Sequence, residues 1–157
     1  MSKFDLMKQI VIVDIDGTIA DPEHRLHYIT GENQDHTNFY SKVSGDTPIK
    51  EICKLVNLLS LNYNLLFVTG RRESCRTATI LWIDTHVVGI DSSQLLMRSN
   101  GDRRPDEKVK IDLFSKFLAS KDLTWDALEF VLEDRNVMVD KWRSLGQTCL
   151  QVKDGNY

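Results

Sequence analysis

The chain has 157 residues, 41% hydrophobic and 27% charged, with a formal net charge of −3. That length fits one domain with a good core, and the acidic balance argues against a protein that coats nucleic acid through bulk electrostatics, although it leaves room for a local basic patch. Cys53, Cys75 and Cys149 are odd in number and lack CxxC or metal-ligand spacing, which points to reduced thiols in a cytoplasmic protein.

Residues 1–8 carry no signal-peptide core, and no apolar run approaches membrane-spanning length, so no membrane association is expected. Residues 9–14 are a short run rich in Val and Ile, the mark of a strand buried on both faces. Charges cannot sit inside such a strand, so Asp14 and Asp16 mark its exit from the sheet, where open α/β sheets bind ligands. Side-chain alternation points both aspartates the same way, and Gly17 lets the backbone turn sharply. Residues 20–46 are polar and irregular, with turn signals at Asp21-Pro22, 30–33 and 44–46 and short helices expected over 23–29 and 37–43. This insert is too small for a domain and about right for a lid beside the first strand end.

Thr47 and Pro48 read as an N-cap and first helical position, opening an amphipathic helix over 48–61. A second strand is expected over 64–68. A helix follows over 73–86, with Cys75, Ala78, Thr79 and Trp82 on one face. A third strand covers 95–97, with Arg98 at its exit. After a turn-rich stretch, Pro105 and Asp106 open a helix that turns Val109, Leu113, Phe114, Phe117 and Leu118 inward. The fourth strand is 128–132. A helix over 135–145 buries Met138, Trp142 and Leu145 and ends at Gly146. The fifth strand is 148–152. Alternating strands and helices imply an α/β domain over 1–157, with a mostly parallel sheet and helices on both faces.

Three of the buried runs are tipped with polar groups: Asp14-Ile15-Asp16-Gly17-Thr18, Thr69-Gly70-Arg71-Arg72 and Glu133-Asp134-Arg135. One site fed from three strand ends follows. The Asp-x-Asp pair has three readings. It can cap a turn. It can open a calcium loop of the EF-hand type, which fails because a strand precedes it and the twelfth position is Arg25. It can be a magnesium site with a carboxylate nucleophile, which needs more acid, a cation and a phosphate-binding hydroxyl elsewhere. Singly, the supporting residues have plain alternatives. Thr69 can cap a helix, Lys110 can be a solvated helix lysine, and Glu133 and Asp134 can favour the positive start of the next helix. A signalling receiver domain shares the sheet, an Asp acceptor, a Thr and a Lys, but its acceptor lies at a middle strand. The four histidines show no metal-ligand pattern, and Trp82, Trp125 and Trp142 read as core.

These residues resemble the four motifs of the haloacid dehalogenase (HAD) superfamily: Asp14-Ile15-Asp16-Gly17-Thr18, Thr69-Gly70-Arg71, Lys110, and Glu133-Asp134, in order. A narrower stretch of residues is similar to the phosphatase domain of phage-type polynucleotide kinase-phosphatases. It comprises Asp16-Gly-Thr-x-Ala followed by Arg25, then Gly101-Asp102-x-Arg104-x-Asp106-x-x-Val109-Lys110. Glu133-Asp134-Arg135 with Trp142-Arg143, and Gln151-Val152-x-x-Gly155, complete it. Two departures stand out. The sequence has no GxxxxGK[ST] phosphate loop, so only dephosphorylation is expected. The usual Asp-Asp of the fourth motif is Glu133-Asp134, which keeps the charge and leaves open which carboxylate meets the metal.

The resemblance implies a Rossmann-like, HAD-type fold with a small helical cap over 20–46, and a Mg2+ cofactor. It implies Asp14 as nucleophile, Asp16 as general acid and base, and Lys110 as the cation that neutralises the transferring charge. Asp14, Asp16 (through its backbone carbonyl), Asp134 and Glu133 become the metal residues. Thr69, Gly70 and backbone amides near Gly17 hold phosphate oxygens, and Arg25, Arg71 and Asp106 bind substrate. The implied reaction removes 3′-phosphates from polynucleotide ends or nucleotides, with 5′-mononucleotides as the alternative substrate. The implied partners are a phosphorylated nucleotide or nucleic-acid 3′ end and a separate kinase or ligase of a repair pathway. The implied location is the cytoplasm, or the host cytoplasm for a phage protein.

Overall fold

A computed structural model describes residues 4, 5 and 7–156 of the chain, so the amino-terminal reading over residues 1–8 falls partly outside the described residues. In chain order the strands are β1 (Ile10–Val13), β2 (Ala20–Asp21), β3 (Thr47–Pro48), β4 (Asn64–Arg72), β5 (Leu95–Arg98), β6 (Leu128–Arg135) and β7 (Cys149–Gly155). The α-helices are α1 (Glu23–Leu26), α2 (His36–Ser41), α3 (Lys50–Leu59), α4 (Arg76–His86), α5 (Asp106–Ser120) and α6 (Asn136–Ser144).

All four side chains of β1 are buried, and their alternation divides the core in two. Val11 and Val13 pack with Leu65 and Phe67 of β4 against Cys53 and Val56 of α3 and Trp82 and Ile83 of α4. Ile10 and Ile12 pack with Leu66 and Val68 against Phe114, Phe117 and Leu118 of α5 and Met138, Val139 and Trp142 of α6. Each of these aliphatic side chains, fully buried, contributes about 1.5–3 kcal/mol. The five main strands are parallel, in the order β5-β4-β1-β6-β7. The chain thus runs outward on one side of β1 and then returns to its other side. A crevice opens at such a reversal, at the carboxyl ends of the strands. Asp14 follows β1 there, and its amide donates to Leu132 O of β6 at 3.0 Å.

Several expectations shift. Thr47 and Pro48 do not begin a helix. They form β3, which pairs antiparallel with β2 through Ala20↔Pro48 and Asp21↔Thr47. Ile49 N then donates to Ile19 O at 2.8 Å, which holds this stretch extended, and α3 starts at Lys50 without a side-chain cap. This short ribbon closes the base of the segment between β2 and β3. Glu73–Cys75 is a 3-10 turn rather than the first turn of α4. Leu145 is not buried: α6 ends at Ser144, Leu145 is 40% exposed, and Gly146 turns left-handed at φ 79°. Val139 takes the inward position instead.

The polar strand tips also belong to the sheet. β4 runs to Arg72 and β6 to Arg135, each with a register shift, between Thr69 and Arg72 and between Glu133 and Arg135. Such irregularities re-aim side chains next to sites. Among the described residues no helix is long and apolar enough to cross a membrane.

Gly155 ends β7 against the backbone that carries Asp134. A Cβ there would meet Asp134 O at 2.5 Å and Arg135 Cα at 2.8 Å. Gly155→Ala is expected to destabilise the fold by about 1–3 kcal/mol, because neither contact is a flexible side chain that can yield. Urea denaturation against wild type measures this.

Candidate active site

Two charged clusters meet at the ends of β1, β4 and β6. In the first, Lys110 comes from the second turn of α5 and is buried. Its Nζ donates to Asp14 Oδ1 at 2.5 Å and to Glu133 Oε2 at 2.8 Å. The Thr18 hydroxyl lies 3.1 Å from Asp14 Oδ2 and 3.3 Å from Asp134 Oδ1, tying the β1 loop to the end of β6. Glu133 Oε1 accepts the amide of Asp134 at 3.1 Å. Asp14, Glu133 and Asp134 each offer an oxygen, all within 4.8 Å of one another.

Three buried carboxylates face one ammonium. Burial raises the proton affinity of Asp14, and the charges of Glu133 and Asp134 raise it further, while Lys110 offsets only part. Glu133 is raised in the same way, by burial first. Burial opposes the Lys110 charge too, but Asp14 and Glu133 more than offset it, so the ammonium is held. A further divalent cation fits this set: the donors are all hard oxygens, and the cluster carries more negative than positive charge.

The second cluster centres on Asp16 and Asp46. Arg71 Nη2 donates to Asp16 Oδ1 at 2.7 Å and to Asp46 Oδ2 at 2.6 Å. Its Nη1 reaches the Thr79 hydroxyl at 3.2 Å. Arg25, delivered by α1, donates from Nη2 to Asp16 Oδ1 at 2.5 Å and from Nε to Asp46 Oδ1 at 2.7 Å. Both guanidiniums are fully buried, and Arg25 lies 4.2 Å over the Phe39 ring. His24 Nε2 lies 2.9 Å from Asp46 Oδ1, which accepts from it when that nitrogen carries the proton. The Trp82 indole donates to the Asp46 carbonyl at 2.9 Å. Asp16 keeps 28% of its side chain exposed, so it is the member that faces outward. Burial works against its charge, but Arg71 and Arg25 more than offset this and hold its carboxyl below the ordinary range.

A cavity of about 300 Å³ opens between the clusters and the segment from Pro22 to Tyr40. Asp14, Asp16, Thr69, Gly70, Arg71, Asp106 and Lys110 line one side, and Pro22, Leu26, Ile29, Phe39 and Tyr40 the other. Asp106 stands at the rim, bound to Arg98 and, at 2.6 Å, to Arg135 Nη1. Gly70 lets it approach: a Cβ there would lie 2.6 Å from Asp106 Oδ1.

The residues singled out in the sequence thus divide by partner. Asp14, Lys110, Glu133 and Asp134 share one cluster. Asp16, Arg25 and Arg71 share the other, so the Asp16 carboxylate is not part of the acidic trio. Thr69 Oγ1 accepts the Arg71 amide at 3.1 Å while lining the cavity. The amides of Gly17 and Thr18 are not open to a phosphate. They donate within their own loop, to Ala20 O at 2.8 Å and Ile15 O at 3.1 Å. Sequence reasoning missed Asp46, which sat in a turn signal with nothing to separate it from other turn aspartates. It also missed the Thr18 hydroxyl as a bridge and the Arg98 and Arg135 clamp on Asp106, although Arg98 was visible at a strand exit.

Compared with known families, residues 8–157 match the model for the polynucleotide kinase PNKP phosphatase domain. The chain belongs to that family. It is a HAD-type phosphatase domain. A putative bifunctional polynucleotide kinase/RNA ligase of Autographa californica nuclear polyhedrosis virus is 27% identical over 143 residues, spanning 90% of this chain and 19% of the viral protein. A chain of the Pnkp1/Rnl/Hen1 RNA repair complex superposes with a TM-score of 0.78 at 27% identity, covering 99% of this chain and 46% of that one. The chain therefore spans about half the length, or less, of these relatives. A haloacid dehalogenase-like hydrolase from Streptococcus pneumoniae shares the fold, with a TM-score of 0.59 at 14% identity over 92% of this chain and 84% of its own.

Asp46 supplies the carboxylate that both buried arginines share. Asp46→Ala is expected to cost about 3–5 kcal/mol, the range for breaking a buried ion pair from one side. Chemical denaturation checks this; a loss below about 1 kcal/mol would mean that Asp16 alone satisfies both arginines.

Proposed function

We propose that this phosphatase domain is a Mg2+-dependent phosphomonoesterase that works through a phosphoaspartate at Asp14 and removes 3′-phosphates from polynucleotide ends or nucleotides. The observation that carries the chemistry is the Lys110–Asp14 contact, with Asp134 and Glu133 beside it, at the floor of a cavity walled by Asp16 and Arg71. The family match carries the nucleic-acid end.

Asp14 attacks phosphorus, and the bond to the leaving oxygen breaks as Asp16 gives that oxygen a proton. Water then attacks the phosphoaspartate, Asp16 takes its proton, and phosphate departs. Asp16 begins as a carboxylate held by two arginines. A phosphate dianion arriving against Arg71 and Arg25 competes for those donors and raises the proton affinity of Asp16 into the range of an acid. Arg71 lines the cavity and is the guanidinium such a dianion meets first, while Arg25 lies behind it, bonded to Asp16 and Asp46. Lys110 meets charge on Asp14 and on the phosphoryl oxygens. Mg2+ held by Asp14, Asp134 and the Asp16 backbone carbonyl would supply the positive charge that lets a carboxylate approach a dianion. Glu133, with one oxygen on Lys110 and the other on the Asp134 amide, orients these groups.

The segment over 20–46 acts as the cap of a single domain. The relatives named for polynucleotide kinase, ligase and RNA repair support a nucleic-acid end as substrate, with a kinase or ligase acting on the same ends. The three free, buried thiols suit a reducing cytoplasm.

With Mg2+, phosphate release from a 3′-phosphorylated oligonucleotide is expected; release from 5′-mononucleotides alone would reject the 3′ reading. Asp14→Asn is expected to lower the rate by at least about 10⁴-fold, because an amide is no nucleophile. Asp16→Asn is expected to cost about 10²–10⁴-fold on alkyl phosphates and much less on p-nitrophenyl phosphate, whose leaving group needs no proton.

Mg2+ binding has its own readout. At about a hundred times its Kd the ion stabilises a single site by about 2.7 kcal/mol, so the melting temperature should rise. Asp134→Asn should abolish most of that rise, whereas an equal rise in the variant would move the metal elsewhere.

A further inference from the structure

The active-site cavity does not end at Asp106. A second cavity of about 600 Å³ adjoins it, with Tyr40 and Asp106 in the walls of both. It runs outward between His36 and Tyr40 on α2, Arg72 at the end of β4, and Arg103 in the loop after β5. Its acids are already neutralised: Asp106 by Arg98 and Arg135, and Asp102 by Arg104 at 2.7 Å. Among the described residues neither Arg72 nor Arg103 forms an ion pair, so both cations face the groove uncompensated, in a chain whose formal charge is −3. The Arg72 guanidinium lies 5.5 Å from the Tyr40 ring centroid, and the His36 ring lies nearly parallel to Tyr40 at 6.4 Å. Arg72 Nε and His36 Nδ1 are buried without hydrogen-bond partners, two of four such side-chain atoms among the described residues.

Unpaired cations beside aromatic faces, in a groove leading away from a phosphate site, match a single nucleic-acid strand: phosphodiesters meet the arginines and a base stacks on the rings. A mononucleotide would leave this groove unused. We propose that the groove is a subsite for the nucleotide on the 5′ side of the terminal one, binding its phosphodiester through Arg72 and Arg103, and that the enzyme thereby selects strand ends over mononucleotides. This rests on the 3′-phosphatase reading above. Binding here leaves the reacting atoms untouched and acts on KM.

The test compares a 3′-phosphorylated dinucleotide with the matching 3′-mononucleotide, both with Mg2+, on wild type, Arg72→Ala and Arg103→Ala. In wild type the dinucleotide is expected to show at least a tenfold higher kcat/KM, carried by KM. Each variant is expected to raise the dinucleotide KM about fivefold while changing mononucleotide kcat/KM less than about twofold. Each should also flatten the log–log salt dependence for an oligonucleotide by about 0.7, the value of one single-strand phosphate contact. Equal kcat/KM for the two substrates in wild type, or variants that weaken both substrates alike, would overturn the subsite and leave the 3′-phosphatase reading standing. Hydrolysis of 5′-mononucleotides with no hydrolysis of either 3′-phosphorylated substrate would overturn that reading and the subsite together.

Discussion

Three carboxylates crowd one ammonium at the carboxyl ends of β1 and β6, and much of the structure serves that crowding. Burial makes each of the charges costly. The strands nevertheless bring Asp14, Glu133 and Asp134 within reach of one another, because Val13 and Leu132 are register partners and each chain continues into its acids. The Thr18 bridge and the Glu133 contact with the Asp134 amide remove the freedom to splay apart. A site that carries this much negative charge at rest is incomplete. A divalent cation held by these oxygens would relieve that charge.

The second cluster solves the opposite problem. Asp16 must stay close to Asp14 in the chain without joining the acidic trio, and two buried arginines draw it away. Those arginines would themselves be a burden with a single carboxylate between them. Asp46 divides the load, and its position depends on the segment closed by the β2–β3 ribbon. The 20–46 segment is therefore tied to β4 through the Arg71 bond to Asp46 and to the loop after β1 through the Arg25 bond to Asp16. The Trp82 bond to the Asp46 carbonyl fixes that connection to α4, an element of the core.

The fold was readable from the sequence because its signals are local. Val-Ile runs, helical spacing and Gly146 as a helix stop each report on a few neighbouring residues, and the parallel α/β sheet follows from their alternation. The acidic and cationic residues at the strand tips were readable for the same reason, each standing next to a run that declared itself. The losses were of two kinds. Thr47-Pro48 carried a good helix-start signal, but pairing with Ala20 and Asp21, far away in sequence, overrode it. Asp46 carried only a turn signal, because its importance comes from Arg25 and Arg71 converging on it from separate elements. The extent of β4 and β6 was missed because the rule that charges end a strand assumes solvent is their only refuge; here ion pairs inside the site take that role.

The same reasoning explains why net charge was a poor guide to the surface. A formal charge of −3 argues against a protein that coats nucleic acid. Yet many of the acids responsible are buried or paired: Asp14, Asp16, Asp46, Glu133 and Asp134 at the site, Asp102 and Asp106 at its rim. Their charge is spent at short range. Arg72 and Arg103 have no such partners among the described residues, so uncompensated positive charge stands at the mouth of the site in a chain of negative net charge. A protein that met a polyanion only at its terminus would need no more than this: a few cations, placed along one exit from the cavity and left unpaired by acids that are committed elsewhere.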